Sequence, residues 1–192
     1  MKPLAYLWMK GRAMAWLVLG RQSSALGLFD RMVARWPEDV YALASRAHLL
    51  VQGGNTQQAL ADSERLIRLR PDDARTWFNH GFMMESAERW DEALHAFQRS
   101  TDLSPKLDRA WYGLGLVLIR QQRFDEAIAA LKRNTELQPM SPHGWYQLAR
   151  VHVDRREPDE ALKIIRHLKG FEPKVASQLE RETGLMAGSV SQ

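Results

Sequence analysis

The chain has 192 residues, no cysteine and a formal net charge of +4, with 45% hydrophobic and 26% charged residues. Such a composition belongs to a folded chain and excludes wholesale disorder, a disulfide framework, thiolate metal sites and a cysteine nucleophile. The small basic excess permits an acidic partner or an anionic surface, but falls short of the dense basic patches that drive nucleic-acid binding.

In chain order, the first feature is AMAWLVLG at residues 13–20, an apolar run preceded by Lys2, Lys10 and Arg12. Alone it resembles the apolar stretch of a secretory signal with a long basic leader. Read with the rest of the chain it is the first helix of a repeat, because Ala25 and Pro37 fall on a spacing set downstream. No stretch approaches the roughly 18–20 uncharged apolar residues of a spanning helix. A cytoplasmic location is expected, with a cleavable N-terminal signal as the alternative.

The spacing is set by Pro37, Pro71, Pro105, Pro139 and Pro173, each 34 residues after the last. Ala25, Ala59, Ala93, Ala127 and Ala161 recur at the same interval. With Trp77 at position 4 of the repeat, units tile 6–39, 40–73, 74–107, 108–141 and 142–175. Position 8 is small throughout, as Ala13, Ala47, Gly81, Gly115 and Ala149. Positions 4, 7, 8 and 11, and again 20, 24 and 27, have helical spacing, so each unit is a pair of antiparallel amphipathic helices. Small residues at 8 and 20 let the pair approach closely. The proline at 32 cannot continue a helix and forms a turn.

Helix ends carry their own signals. Asp91-Glu92, Asp125-Glu126 and Asp159-Glu160 place negative charge in the first turn of second helices, where the helix dipole favours it. Pro158 suits a first helical position, Ser141-Pro142 reads as a cap followed by proline, and Gly53-Gly54 closes a helix. The first two units drift, with Met9 and Leu43 at position 4. Arg12 and Arg46 at position 7 are expected to cover apolar surface with their stems and keep their heads in water. Residues 176–192 lie beyond the tiling. Val175, Leu179 and Met186 mark the apolar face of a short capping helix ended by Gly184, with AGSVSQ as a frayed tail.

Trp at position 4, Gly or Ala at 8, Ala at 20, Phe29 and Phe97 at 24, Pro at 32 and the 34-residue period resemble the tetratricopeptide repeat family over about 170 residues. The resemblance implies an all-α, right-handed α-solenoid of five helix-turn-helix repeats plus a C-terminal capping helix. It also implies a non-enzymatic adaptor or scaffold that binds a peptide or partner segment in a concave groove lined by first helices. By the family's geometry, positions 2, 5, 9, 12 and 13 face that groove. The partner-binding candidates are then Lys10, Tyr41, His48, Arg75, Phe78, Phe82, Arg109, Tyr112, Leu116, Arg120, Tyr146 and Arg150, with Met14, Gln52, Glu85, Ser86, His143 and Asp154 beside them.

Arginines interleaved with aromatic rings suit an extended peptide carrying acidic and apolar side chains. Phe82 is the leading candidate, since an aromatic at position 9 is less usual than one at position 5. Some relatives grip a C-terminal carboxylate with a clamp of Lys, Asn, Asn, Lys and Arg. Here the two frames offer Lys10, Met14, Ser45, Arg75, Asn79 and Ala44, His48, Asn79, Arg109, Gly113, and both patterns are broken.

The alternative role is a structural subunit or assembly factor using its ends and convex face, with Leu4, Leu7 and Trp8 as a surface for another chain or a second copy. Nucleic-acid reading is disfavoured, since position 5 runs Lys10, Ala44, Phe78, Tyr112 and Tyr146 with no code. No phosphate-binding glycine loop, nucleophile elbow or zinc spacing appears, so no catalytic residue, metal, cofactor or small-molecule substrate is expected. His48 and His143 are groove candidates, while His80 and His152 sit at packing positions.

Overall fold

A computed structural model describes residues 3–188. Among them the chain forms eleven α-helices and no strand. It is an all-α helical repeat solenoid. The first helices of successive pairs are α1 (Leu4–Val18), α3 (Val40–Gln52), α5 (Ala74–Ser86), α7 (Asp108–Arg120) and α9 (Pro142–Asp154). The second helices are α2 (Gln22–Arg35), α4 (Thr56–Leu69), α6 (Trp90–Leu103), α8 (Phe124–Leu137) and α10 (Pro158–Lys169), and α11 (Pro173–Thr183) follows. Every first helix ends at the same phase of the 34-residue interval, from Val18 to Asp154.

The chain divides into two compact units, residues 1–96 and 97–192. In the first, α1 packs on α2, α2 on α3, α3 on α4 and α4 on α5. Its core joins Tyr6, Ala13, Phe29, Met32 and Leu43, with a satellite of Ala47, Leu50, Ala59 and Met83. In the second, α7 packs on α8, α8 on α9, α9 on α10, and α11 on both α9 and α10. Its core joins Leu131, Leu148, Ile165, Leu168 and Leu179.

The small positions explain the close packing. Ala13, Ala25, Ala47, Ala59, Ala127, Ala149 and Ala161 are all fully buried. At Gly115 even a methyl group is too much, since a Cβ there would lie 2.8 Å from Leu131 Cγ.

Turns inside the helix pairs share a left-handed residue at one phase: Gly20 (φ 70°), Gly54 (φ 79°), Glu88 (φ 58°), Gln122 (φ 58°) and Arg156 (φ 61°). Turns between pairs carry the prolines, and Asp39 and Asp73 cap α3 and α5 by accepting from the Ala42 and Thr76 amides at 2.8 and 2.9 Å. Where tryptophan occupies position 4, its indole N–H donates to the carbonyl of the proline six residues earlier. The distances are 2.7 Å for Trp77–Pro71, 3.0 Å for Trp111–Pro105 and 2.8 Å for Trp145–Pro139. The tryptophan thus pins the turn that leads into its own helix.

Several local expectations are corrected. The Arg46 head is not left in water, its side chain being only 12% exposed. It is held bidentately by Asp62, at 2.6 Å to each oxygen, and by Asp30 at 3.3 Å, and Asp62 is only 1% exposed. A buried carboxylate needs a cation beside it, and Arg46 supplies it. The Arg12 guanidinium does lie outside, over the rings of Trp8 and Trp16. Ser141 occupies the cap position of α9 without a side-chain cap bond. Pro173 starts α11 instead of ending in a turn, at the first helical position where a missing N–H costs nothing.

Gly184 closes α11 in the left-handed conformation, as its lack of a side chain allows. Met186 is exposed, whereas Ala187 is buried and tied. Its amide donates to Glu180 Oε1 at 2.8 Å and its carbonyl accepts from Lys169 Nζ, so the chain past α11 is held at this point. The rest of the tail, residues 189–192, lies outside the described residues.

Candidate functional site

Amphipathic first helices bury one stripe against their partners and leave positions 2, 5, 9 and 13 on another face. In the first unit this brings α1 and α3 together: Lys10 Nζ lies 4.1 Å from the centre of the Tyr41 ring, and Tyr41 Oη is 3.0 Å from Met14 Sδ. Between α3 and α5, over α4, is a cleft of about 350 Å³. Ser45 and His48 line one wall, Asn79 and Phe82 the other, with Ser63 and Leu66 below. Phe82 is 48% exposed, and the helical bonding of its carbonyl is supplemented by the Ser86 hydroxyl at 2.9 Å. His48 is exposed, with a ring nitrogen 3.0 Å from Gln52 Nε2. Arg75 is exposed near the start of α5, and Phe78 is half-buried one turn on.

Two hollows of the second unit lie beside its candidate residues. One, of about 510 Å³, lies among Asp108, Arg109 and Tyr112 of α7, Asn134 and Gln138 of α8, and His143 of α9. The other, of about 330 Å³, is bounded by Tyr112, by His143 and Tyr146 of α9, and by Val175 and Gln178 of α11. Leu116 is half-buried and Arg120 exposed at the end of α7.

Tyr146 and Arg150 are not left to solvent. Both donate to Glu182 Oε2 of α11, at 2.5 and 2.8 Å. Accepting from Tyr146, then from Gln178, and facing the Arg150 charge hold the Glu182 carboxyl below its ordinary range. The same bond, with burial and the Glu182 charge, pushes the Tyr146 phenol up.

Of the twelve residues expected to face a groove, Lys10, Tyr41, His48, Arg75, Phe78 and Phe82 belong to the first unit and the other six to the second. Sequence reading missed Ser63 in the cleft floor and Glu182 on Tyr146 and Arg150. The available signal for Glu182 was its place on the polar side of a helix whose other side carries Val175 and Leu179.

His80 and His152 are buried as expected of packing residues. His80 Nδ1 is 2.8 Å from Ser63 Oγ, whose single proton goes to the Leu60 carbonyl, so the imidazole N–H is the donor. His152 Nδ1 is 2.7 Å from Glu157. Among the described residues no group of three or more histidine, aspartate or glutamate side chains is placed to hold a metal. Among them, too, no helix is long and apolar enough to cross a membrane.

A sequence model of the tetratricopeptide repeat matches residues 85–142 and 120–170. The same helix-pair architecture is found in solved structures over nearly the whole chain. Residues 85–170 are tetratricopeptide repeats by sequence. It is similar to MamA residues 41 to the end from Desulfovibrio magneticus RS-1, with TM-score 0.81, 19% identity, and 95% of this chain and 98% of that one covered.

It is likewise similar to YrrB, described as a TPR protein with an unusual peptide-binding site, with TM-score 0.74, 18% identity and 88% of each chain covered. TTC0263, a thermophilic TPR protein of Thermus thermophilus, matches with TM-score 0.68 and 22% identity over 91% of this chain and 96% of its own. Comparison with curated proteins finds no match. At these identities the likeness speaks for the fold alone, while the matched tetratricopeptide repeats support a protein-interaction or scaffold role.

Proposed function

We propose that the protein is a non-enzymatic interaction module that binds an extended peptide with acidic and apolar side chains on its first-helix faces. The observation that carries this reading is the cleft between α3 and α5, where the Phe82 ring stands half-exposed over an open floor. A ring held on a helix at the mouth of a concave site offers apolar area at little entropic cost.

A preference for acidic side chains is supported by the second unit taken by itself. There Tyr146 and Arg150, at positions 5 and 9, hold the carboxylate of Glu182. That is the charge-assisted pairing a peptide carboxylate would make at such positions. Exposed Arg75, Arg109 and Arg120 extend the same chemistry. The YrrB likeness adds that a protein of this architecture is described as having a peptide-binding site.

Selection of random displayed peptides on the purified protein tests the proposal. Peptides rich in acidic and apolar residues should be enriched. Phe82→Ala should weaken the selected peptides about tenfold or more, the loss expected from one buried aromatic side chain. Arg109→Glu should remove the preference for acidic residues. Enrichment that neither substitution alters would overturn the assignment.

A further inference from the structure

Helix α1 is apolar on both sides. Its inner side, with Tyr6, Met9, Ala13 and Leu17, belongs to the core of the first unit. Its outer side carries Leu4, Leu7, Trp8, Ala15, Val18 and Leu19, all exposed, with Leu4 at 86% and Val18 at 84%. At 3.6 residues per turn these six, with Gly11 and Met14 among them, fill an arc of roughly 140° that contains no polar side chain. A helix apolar all round is ordinarily covered on every side, and a patch of this kind marks an interaction surface.

The charges around the arc say what covers it. Lys10 borders one margin and Arg12 the other, on the helical spacing. The guanidinium of Arg12 lies 5.1 Å from the centre of the Trp8 ring and 5.8 Å from that of Trp16, and Arg21 lies 5.0 Å from Trp16. The first acidic residue of the chain is Asp30. An apolar face bearing a tryptophan, on a helix whose own charged residues are all cationic, matches the interface of a bilayer with anionic headgroups. A second copy would set the same cations against each other. We infer that α1 docks this protein peripherally on anionic phospholipid, its apolar arc entering the headgroup boundary and Arg12, Arg21 and Lys10 meeting lipid phosphates.

Co-sedimentation of the full chain with phosphatidylcholine vesicles, with and without phosphatidylglycerol, tests this. The protein should pellet with the anionic vesicles and not with the neutral ones, and rising salt should release it. Leu4→Glu combined with Val18→Glu should weaken binding about tenfold or more, since both side chains would leave the apolar phase. Both positions are exposed, so helical content and the thermal transition should be unchanged, which separates lost binding from lost folding. A protein that stays in the supernatant overturns the inference. So does equal pelleting with neutral vesicles. A dimer seen by light scattering, abolished by Val18→Glu and without vesicle binding, would assign the face to a second copy and overturn it as well.

Discussion

At Glu88, Gln122 and Arg156 the backbone takes the left-handed conformation that Gly20 and Gly54 take at the same phase. For a residue with a Cβ that conformation costs roughly 1–2 kcal/mol, and glycine adopts it freely. Glycine also gives up more chain entropy on folding, which offsets part of the gain. Gln122→Gly should therefore stabilise the protein by about 0.5–1 kcal/mol, read as a higher urea midpoint. The gain should be absent at Gly54→Ala, which runs the change backwards and should destabilise. The shared phase shows that turn geometry is set by the helix pair, and that the side chain present only tunes its cost.

At the scale of elements, Arg46 ties three helices through Asp30 on α2 and Asp62 on α4. The geometry is bidentate and the Asp62 carboxylate has almost no access to water, so removing the cation strands a buried charge. Arg46→Met should cost about 3–5 kcal/mol, while Arg46→Met with Asp62→Leu should recover much of it. A double-mutant cycle by chemical denaturation measures both. If the single and double variants were equally unstable, the loss would come from packing and not from the stranded carboxylate. The Trp-to-proline bonds are a gentler device of the same kind, fixing how a turn enters the next helix in the units that carry tryptophan.

Within each unit, contacts run between helices near in sequence, so the stability of each is a sum of pair terms and neighbour terms. Its pH dependence follows from two sets of groups. Burial, opposed by the Glu64 and Glu92 charges and aided by Arg89 and His95, holds the His80 imidazole below its ordinary value. The unfolded chain then binds the extra proton first, so stability is lost as pH falls below about 6.5 and on through the lower folded value.

A second loss follows below about pH 4.5. There Glu92, Glu126, Glu157, Glu160, Glu180 and Glu182, all held low chiefly by hydrogen bonds from Arg89, Arg123, His152, Lys163, Lys169 and Tyr146, take up protons. Urea midpoints against pH should show both limbs. His80→Asn, which can still donate to Ser63, should flatten the upper limb and leave the lower one in place.

Helix pairs, their phase and the small buried positions were legible from sequence alone, because a pattern that recurs at one interval reports local packing. Ala25 and Ala59 could be placed in a core without knowing what they touch. The faces proposed for binding were read in the same way, as whatever the packing stripe leaves over. Tertiary structure alone decided what became of particular polar side chains. Arg46 looked like a surface stem until Asp62, sixteen residues on, proved to be buried beside it. Tyr146 and Arg150 looked free until Glu182 of α11 met them. A charge takes its role from the partner and the dielectric around it, and both are set by contacts that no local pattern encodes.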